Sequence, residues 1–124
     1  MKYALMTTGL VAMTVAGASC GGYTNSPTTP TPTAAPPVGA TIIDVIRENG
    51  AQSFSPNPAT IPAGQMVAWH NVDTTTHRVV LDDGAVDTGN IAPGAFSAPM
   101  ILRTVGPYHC SIHPSMVGRM ITGQ

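Results

Sequence analysis

The chain has 124 residues, which is enough for one domain, and its net charge is only −1 at pH 7. Charged residues make up 9% of it, with no basic patch that would indicate a nucleic-acid-binding protein and no acidic run that would indicate a charged tail. The overall charge therefore indicates no particular class of partner, and the function has to be inferred from the order of segments and from their motifs.

The N-terminal segment, residues 1–19, has the order of a secretory signal. Lys2 is followed by a mostly apolar stretch and then by small residues directly before Cys20. The stretch is about 15 residues long, whereas spanning a bilayer takes about 20. Cys20 after small residues resembles the lipobox of bacterial lipoproteins, although Gly17 stands where Leu is usual. That resemblance implies a lipid anchor on Cys20; the alternative is a plain signal peptide cleaved near Ala18.

The next segment, residues 20–37, is predicted to be a linker. Five prolines stand there among Thr, Ser, Gly and Ala, a composition that favours an extended, semi-rigid spacer. The folded domain is then predicted over residues 38–124. With the signal, this arrangement predicts an exported protein that is anchored to a membrane and faces the periplasm or the cell exterior.

The domain has the pattern of β-structure, because prolines and glycines recur throughout and no stretch shows a sustained helical period. A turn is predicted within residues 59–64, and alternation places Val67 and Trp69 on one face of their strand. The clearest predicted strands are residues 41–46, 66–71, 78–81, 96–102, 108–110 and 117–122. Short strands with frequent turns predict an all-β fold, a Greek-key β-sandwich of about seven to eight strands.

The strongest chemical signal is a ligand-like run near the C-terminus. Cys110, His113 and Met116 place a thiolate, an imidazole and a thioether at three-residue intervals. Two His, one Cys and a weak axial Met make up a blue-copper electron-transfer site. One more His must come from elsewhere, and His77 is the best candidate, because it ends a loop that leads into a different strand. A sandwich can bring two such loops together at one end.

Other interpretations of Cys110 explain fewer of these residues. Zinc also binds Cys and His, but a thioether is a poor ligand for it. A Cys–His nucleophile pair would suit a thiol hydrolase, yet it leaves Met116 and His77 without a purpose. A disulfide with Cys20 would tether a flexible linker and stabilise little. If Cys20 carries lipid, a metal is the simplest group to hold an unpaired thiol in an oxidising compartment.

Four stretches of the domain resemble the cupredoxins, the small blue-copper proteins. They are residues 54–56, 64–71, 77–80 and 106–118. The Cys-x-x-His-x-x-Met spacing is similar to the short ligand loop of amicyanin, and the longer plastocyanin-like spacing would fall on Gly118, which has no side-chain ligand. The resemblance implies a cupredoxin-like sandwich, one copper ion that cycles between Cu(II) and Cu(I), and no enzyme activity.

The function implied is one-electron transfer with an unidentified redox partner protein, by a chain expected to be a monomer. The alternative is a copper-binding module for storage, delivery or sensing. In the family, the ligand equivalent to His113 reaches the surface through a ring of apolar residues. Ile112, Pro114 and residues 91–93 are candidates for such a docking patch here.

One position departs from the family and affects how the ligand loops are joined. Relatives usually carry Asn directly after the first His ligand, and its side chain ties the two ligand loops together; this chain has Arg78 there. The backbone N–H of Arg78 is still expected to approach the Cys110 sulfur. Asn71 and residues 74–76 are candidates for the missing loop contacts.

Overall fold

Eight β-strands make up most of the regular structure of the protein in a computed structural model that describes residues 32–124. In chain order, the strands are β1 (Ala40–Val45), β2 (Phe54–Ser55), β3 (Ala59–Pro62), β4 (Met66–Asn71), β5 (Val79–Leu81), β6 (Met100–Ile101), β7 (Pro107–Cys110) and β8 (Val117–Gly123). A single 3-10 turn, Gly50–Gln52, is the one helical element among the described residues. The predicted all-β class is confirmed.

The strands form two sheets of four, with the orders β2-β1-β4-β6 and β3-β8-β7-β5. Both sheets are mixed, because β1 pairs with β4 in parallel and β3 pairs with β8 in parallel, while the other pairs are antiparallel. In the second sheet β7 lies between β5 and β8. The C-terminal end of β7 therefore lies beside the chain that enters β5 and the chain that enters β8.

An aromatic cluster fills the core between the sheets. Trp69 and Tyr108 are almost completely buried and meet edge to face with ring centroids 5.7 Å apart, and Phe54 meets Tyr108 in the same way at 4.8 Å. Val67 and Trp69 are both buried on β4, as their alternation predicts. His70, the next residue on that strand, is only half buried and stacks on Phe96.

Two segments differ from their predicted form. Residues 59–64 contain the short strand β3 before the turn at Ala63 and Gly64, since residues 59–62 have a partner in β8. The strand predicted at 96–102 is reduced to β6, because Pro99 has no N–H to donate and Ser97 instead accepts a hydrogen bond from the Trp69 N–H through its side-chain oxygen, at 2.9 Å.

The N-terminal edge of the described structure has ordered backbone contacts. Thr33 and Phe96 exchange two backbone hydrogen bonds of 2.8 and 2.6 Å, although Thr33 lies within the predicted linker. The boundary at residue 38 stays a prediction. The signal at 1–19, Cys20 and the linker up to residue 31 lie outside the described residues. Within residues 32–124, no helix has the length and apolar character needed to cross a bilayer.

The close approach of Tyr108 to Gly118 generates a stability prediction. The two residues are paired between β7 and β8, and a Cβ on Gly118 would lie 2.5 Å from both Cε2 and the hydroxyl oxygen of Tyr108. We expect Gly118→Ala to reduce the free energy of unfolding by about 1–3 kcal/mol, the usual cost of overpacking. Chemical denaturation would measure this change.

Gly106→Ala is the matched control, because a Cβ at Gly106 meets no atom within 4 Å. We expect its free energy of unfolding to change by no more than about 0.5 kcal/mol. Equal effects of the two substitutions would show that the Tyr108 ring does not require the glycine.

Candidate metal centre

Cys110 ends strand β7 and points into the core. Strand alternation buries Tyr108 and Cys110 and directs His109 outward, where its Nδ1 lies 2.7 Å from Asp82 Oδ1. The side chain of Cys110 is fully buried and has no disulfide partner among residues 32–124. Its backbone N–H donates to the Met116 carbonyl at 3.1 Å, which closes the intervening loop.

His77 reaches the same place from the other side of the pairing between β5 and β7. Val79 is paired with Cys110, so the segment just before β5 runs past the end of β7. The backbone of His77 is held by two hydrogen bonds with Ile91, of 3.1 and 2.7 Å, and its side chain is fully buried. These two hydrogen bonds hold the backbone from which the His77 imidazole extends.

Three donor atoms converge at this point. His77 Nδ1 lies 3.6 Å from Cys110 Sγ, His113 Nδ1 lies 3.8 Å from the same sulfur, and the two nitrogens are 3.3 Å apart. In the plane of the three atoms, the point equidistant from them lies about 2.1 Å from each. Metal bonds to His nitrogen and Cys sulfur have similar lengths, about 2.0–2.3 Å for zinc. The cluster has the right size to hold a metal ion.

The structure thus brings together three of the four residues that the sequence singled out. Among the described residues, His77, Cys110 and His113 form the one group of His, Cys or acidic side chains with this geometry. Met116 follows in the same loop, where its N–H donates to the His113 carbonyl at 2.9 Å, and its side chain is fully buried in the core. The role of its thioether as a fourth ligand stays a prediction.

The backbone of Arg78 joins the two ligand segments. Its N–H donates to Cys110 Sγ at 3.5 Å, as the sequence analysis expects, and its carbonyl accepts from the Ser111 N–H at 2.8 Å. The guanidinium points away and makes two hydrogen bonds to Asp87, one of them 2.8 Å long. These bonds lower the pKa of Asp87. The backbone of Arg78 therefore ties the two ligand segments together.

Asn71 organises the loop that precedes His77. Its side chain is fully buried and donates to the carbonyls of Thr75 and Ile91, at 2.7 and 2.8 Å. Its Oδ1 accepts from the Asp73 N–H at 3.0 Å. Every polar atom of the Asn71 side chain thus has a partner within residues 71–91, and none of these contacts reaches the loop from Cys110 to Met116. The expectation that Asn71 ties the two ligand loops together is therefore wrong.

Asp73 contacts His77 directly, although the sequence pattern did not single it out. Asp73 Oδ2 lies 2.9 Å from His77 Nε2, the ring nitrogen that faces away from the other two ligands. This hydrogen bond, followed by the one from the Thr74 N–H, holds the pKa of Asp73 below its ordinary value. The signal available was an Asp at the start of a Thr-rich loop four residues before His77, a typical turn-forming position.

The surface around His113 is partly apolar. His113 is half buried, while Ile112 is 44% exposed and Pro114 is exposed. Ala92 and Pro93 are also exposed, on the segment that pairs with His77. Ile91, suggested by the sequence as part of this surface, is instead fully buried: its side chain belongs to the hydrophobic core, and its backbone pairs with His77.

Comparison with solved structures gives matches over most of the described residues. A mutant of amicyanin in its reduced Cu(I) form at pH 4 aligns with a TM-score of 0.60 and 21% identity, over 75% of this chain and 92% of that one. Another amicyanin mutant, in its reduced state, gives 0.61 and 21%, over 78% and 95% of the two chains. A purple cupredoxin from Nitrosopumilus maritimus gives 0.56 and 24%, over 67% and 99%.

No protein-family model and no curated protein sequence matches the chain. The assignment therefore rests on the three-dimensional likeness, together with the two mixed four-stranded sheets and the position of the His77, Cys110 and His113 group at the end of β7. By that likeness, the chain has the cupredoxin fold.

Proposed function

We propose that this protein carries single electrons through one copper ion that His77, Cys110 and His113 would hold, with Met116 as a fourth, weaker ligand. The observation that carries the proposal is the buried convergence of one thiol and two imidazoles around a single point. Two His, one Cys and a long axial Met are the donor set of blue-copper sites. A copper ion bound there would supply one-electron chemistry through its Cu(II) and Cu(I) states.

The residues of the site contribute rigidity. Cys110 is fixed in a strand, His77 is fixed by its two hydrogen bonds with Ile91, and the loop between Cys110 and Met116 is closed on itself. Donors held in this way keep their positions when the charge at the centre changes, so that little reorganisation accompanies electron transfer. His113 is the only one of the three donors that is partly exposed, which makes it the route to a partner.

Electron carriage is a better fit than catalysis for this donor set. Catalytic metal sites keep an open coordination position for substrate or water. Here a buried Met116 follows Cys110 and His113 in the same loop, and a thioether from that side would occupy the fourth position. The second candidate, copper storage or delivery, uses the same donors but requires them to exchange, and the backbone hydrogen bonds around Cys110 and His77 favour retention.

Copper loading tests the site and its chemistry. We expect the chain to bind one equivalent of Cu(II) with an intense visible absorption from thiolate-to-copper charge transfer, to bleach on reduction and to recover on oxidation without loss of metal. Cys110→Ser removes the thiolate and should abolish the band, whereas His109→Gln should keep it, because His109 faces Asp82 on the outer side. Release of Cu(I) to a chelator on each cycle would favour delivery, and failure to bind copper would exclude both functions.

The charges near Arg78 predict opposite shifts of the reduction potential. Arg78→Asn removes a cation next to a ligand and leaves Asp87 unpaired, so Cu(II) is favoured and the potential falls. Asp87→Asn leaves the guanidinium unpaired, so the potential should rise. Redox titration of both variants under identical conditions would measure the shifts; shifts of the same sign, or none, would contradict this electrostatic account.

The exposed residues around His113 predict where a partner docks. Pro114→Glu places a negative charge beside this half-buried ligand, and two like-charged faces repel when two molecules meet. We expect electron self-exchange, measured by NMR line broadening, to slow about tenfold or more at low salt while the visible spectrum is kept. Ile121→Glu on β8, where Ile121 is 39% exposed, is the control and should leave self-exchange unchanged. Equal rates for both variants would exclude the His113 face as the docking surface.

A further inference from the structure

The carboxylate of Asp73 touches a predicted ligand without belonging to the cluster of three donors. We propose that Asp73 is a positioning residue for the metal centre: it selects the tautomer of His77 that presents Nδ1 to the metal, and its charge favours the oxidised ion. This inference deepens the proposed function and rests on it for the redox part, whereas the selection of the tautomer concerns the protein alone.

The two nitrogens of His77 face different surroundings. Nδ1 lies 3.6 Å from Cys110 Sγ and 3.3 Å from His113 Nδ1, within the cluster. Nε2 lies 2.9 Å from Asp73 Oδ2 and 3.1 Å from Thr75 Oγ1. An ionised carboxylate can only accept, so Nε2 must carry a proton in this contact, and in the neutral imidazole Nδ1 is then left with a free lone pair. A ligand needs that lone pair.

The carboxylate is itself held in place by donors from its own loop. Its Oδ1 accepts from the Thr74 N–H at 2.7 Å, and its Oδ2 accepts from the Thr75 hydroxyl at 3.0 Å. The Asp73 N–H in turn donates to the buried Asn71 side chain. Asp73 is therefore oriented before any metal binds, and the Thr75 hydroxyl has its proton directed to Asp73 and not to His77.

The contact between Asp73 and His77 is largely shielded from solvent. The His77 side chain is fully buried and that of Asp73 is 18% exposed, so their contact is shielded from the screening that weakens surface pairs. A partner of this kind on a ligating His fixes the ring and raises its basicity, and losing the partner typically costs 10–100-fold in metal affinity. A negative charge favours Cu(II) over Cu(I), so the loss should weaken Cu(II) binding more.

The first experiment uses the copper-free protein and measures the nitrogen shifts of His77 by NMR in wild type, Asp73→Asn and Asp73→Ala. We expect the Nε2–H tautomer in the wild type, its retention in Asp73→Asn, whose amide oxygen can still accept, and a mixture of tautomers in Asp73→Ala. Asp44→Asn is the matched control, since Asp44 lies 3.1 Å from His70 outside the metal centre and carries the same charge. An unchanged tautomer in Asp73→Ala would overturn the positioning role.

The second experiment measures Cu(II) affinity, Cu(I) affinity and reduction potential for the same variants. We expect Asp73→Asn and Asp73→Ala to lose about 10–100-fold in Cu(II) affinity, with a smaller loss for Cu(I). Each tenfold difference between the two losses raises the potential by about 59 mV, the value for a one-electron couple. Asp44→Asn should change neither affinity nor potential by a comparable amount.

The outcomes separate this inference from the proposed function. A wild type that binds no copper overturns the proposed function, and the tautomer measurement then still decides whether Asp73 positions His77. A wild type that cycles with copper, together with Asp73 variants whose affinity and potential match those of Asp44→Asn, overturns the redox role of Asp73. If Asp73→Ala does not fold, Asp73→Asn still tests the charge through the potential, and Thr75 and Asn71 remain to hold the loop.

Discussion

The pairing of β5 with β7 is the constraint on which the candidate centre depends. Val79 lies opposite Cys110, and the Ser111 N–H donates to the Arg78 carbonyl, so two segments that are far apart in sequence run side by side where the ligands leave them. A shift of this register by one residue would turn Cys110 to the outer face and His109 inward. The buried Tyr108 helps to exclude that shift, because the shift would also turn its ring away from Gly118 and Trp69 and out of the core.

The loops around this pairing are held by main-chain and buried polar contacts, and these contacts decide which way each ligand faces. Asn71 satisfies all of its polar atoms inside the 71–91 region, so its removal would take a hydrogen-bond partner from the Thr75 carbonyl and from the Asp73 N–H, while the Ile91 carbonyl would keep the His77 N–H. The same loop delivers Asp73 to the outer nitrogen of His77. The backbone of Arg78 joins the two ligand segments, which leaves its side chain free to bind Asp87.

The parts that could be predicted from sequence are those encoded by neighbouring residues. Cys110, His113 and Met116 stand within one loop, and the alternation that buries Val67 and Trp69 is local to one strand. The parts that were missed depend on distant partners. Strand β3 exists because β8 lies beside it, and Ile91 belongs to the core in a segment whose backbone pairs with His77. Single-sequence patterns carry no signal for such partners.

The arrangement around His77 also has an electrostatic consequence for the whole cluster. Once Asp73 binds the Nε2–H, Nδ1 is an acceptor only, and it faces the Nδ1 of His113 at 3.3 Å. In the metal-free chain, His77 Nδ1 can accept from the thiol of Cys110 or from an Nδ1–H of His113, so a proton stands between the donors where a metal would bind. A cation at the shared point interacts favourably with all three donors at once. Binding energy at such a site is therefore also folding energy, because the unfolded chain cannot assemble these donors from two distant segments.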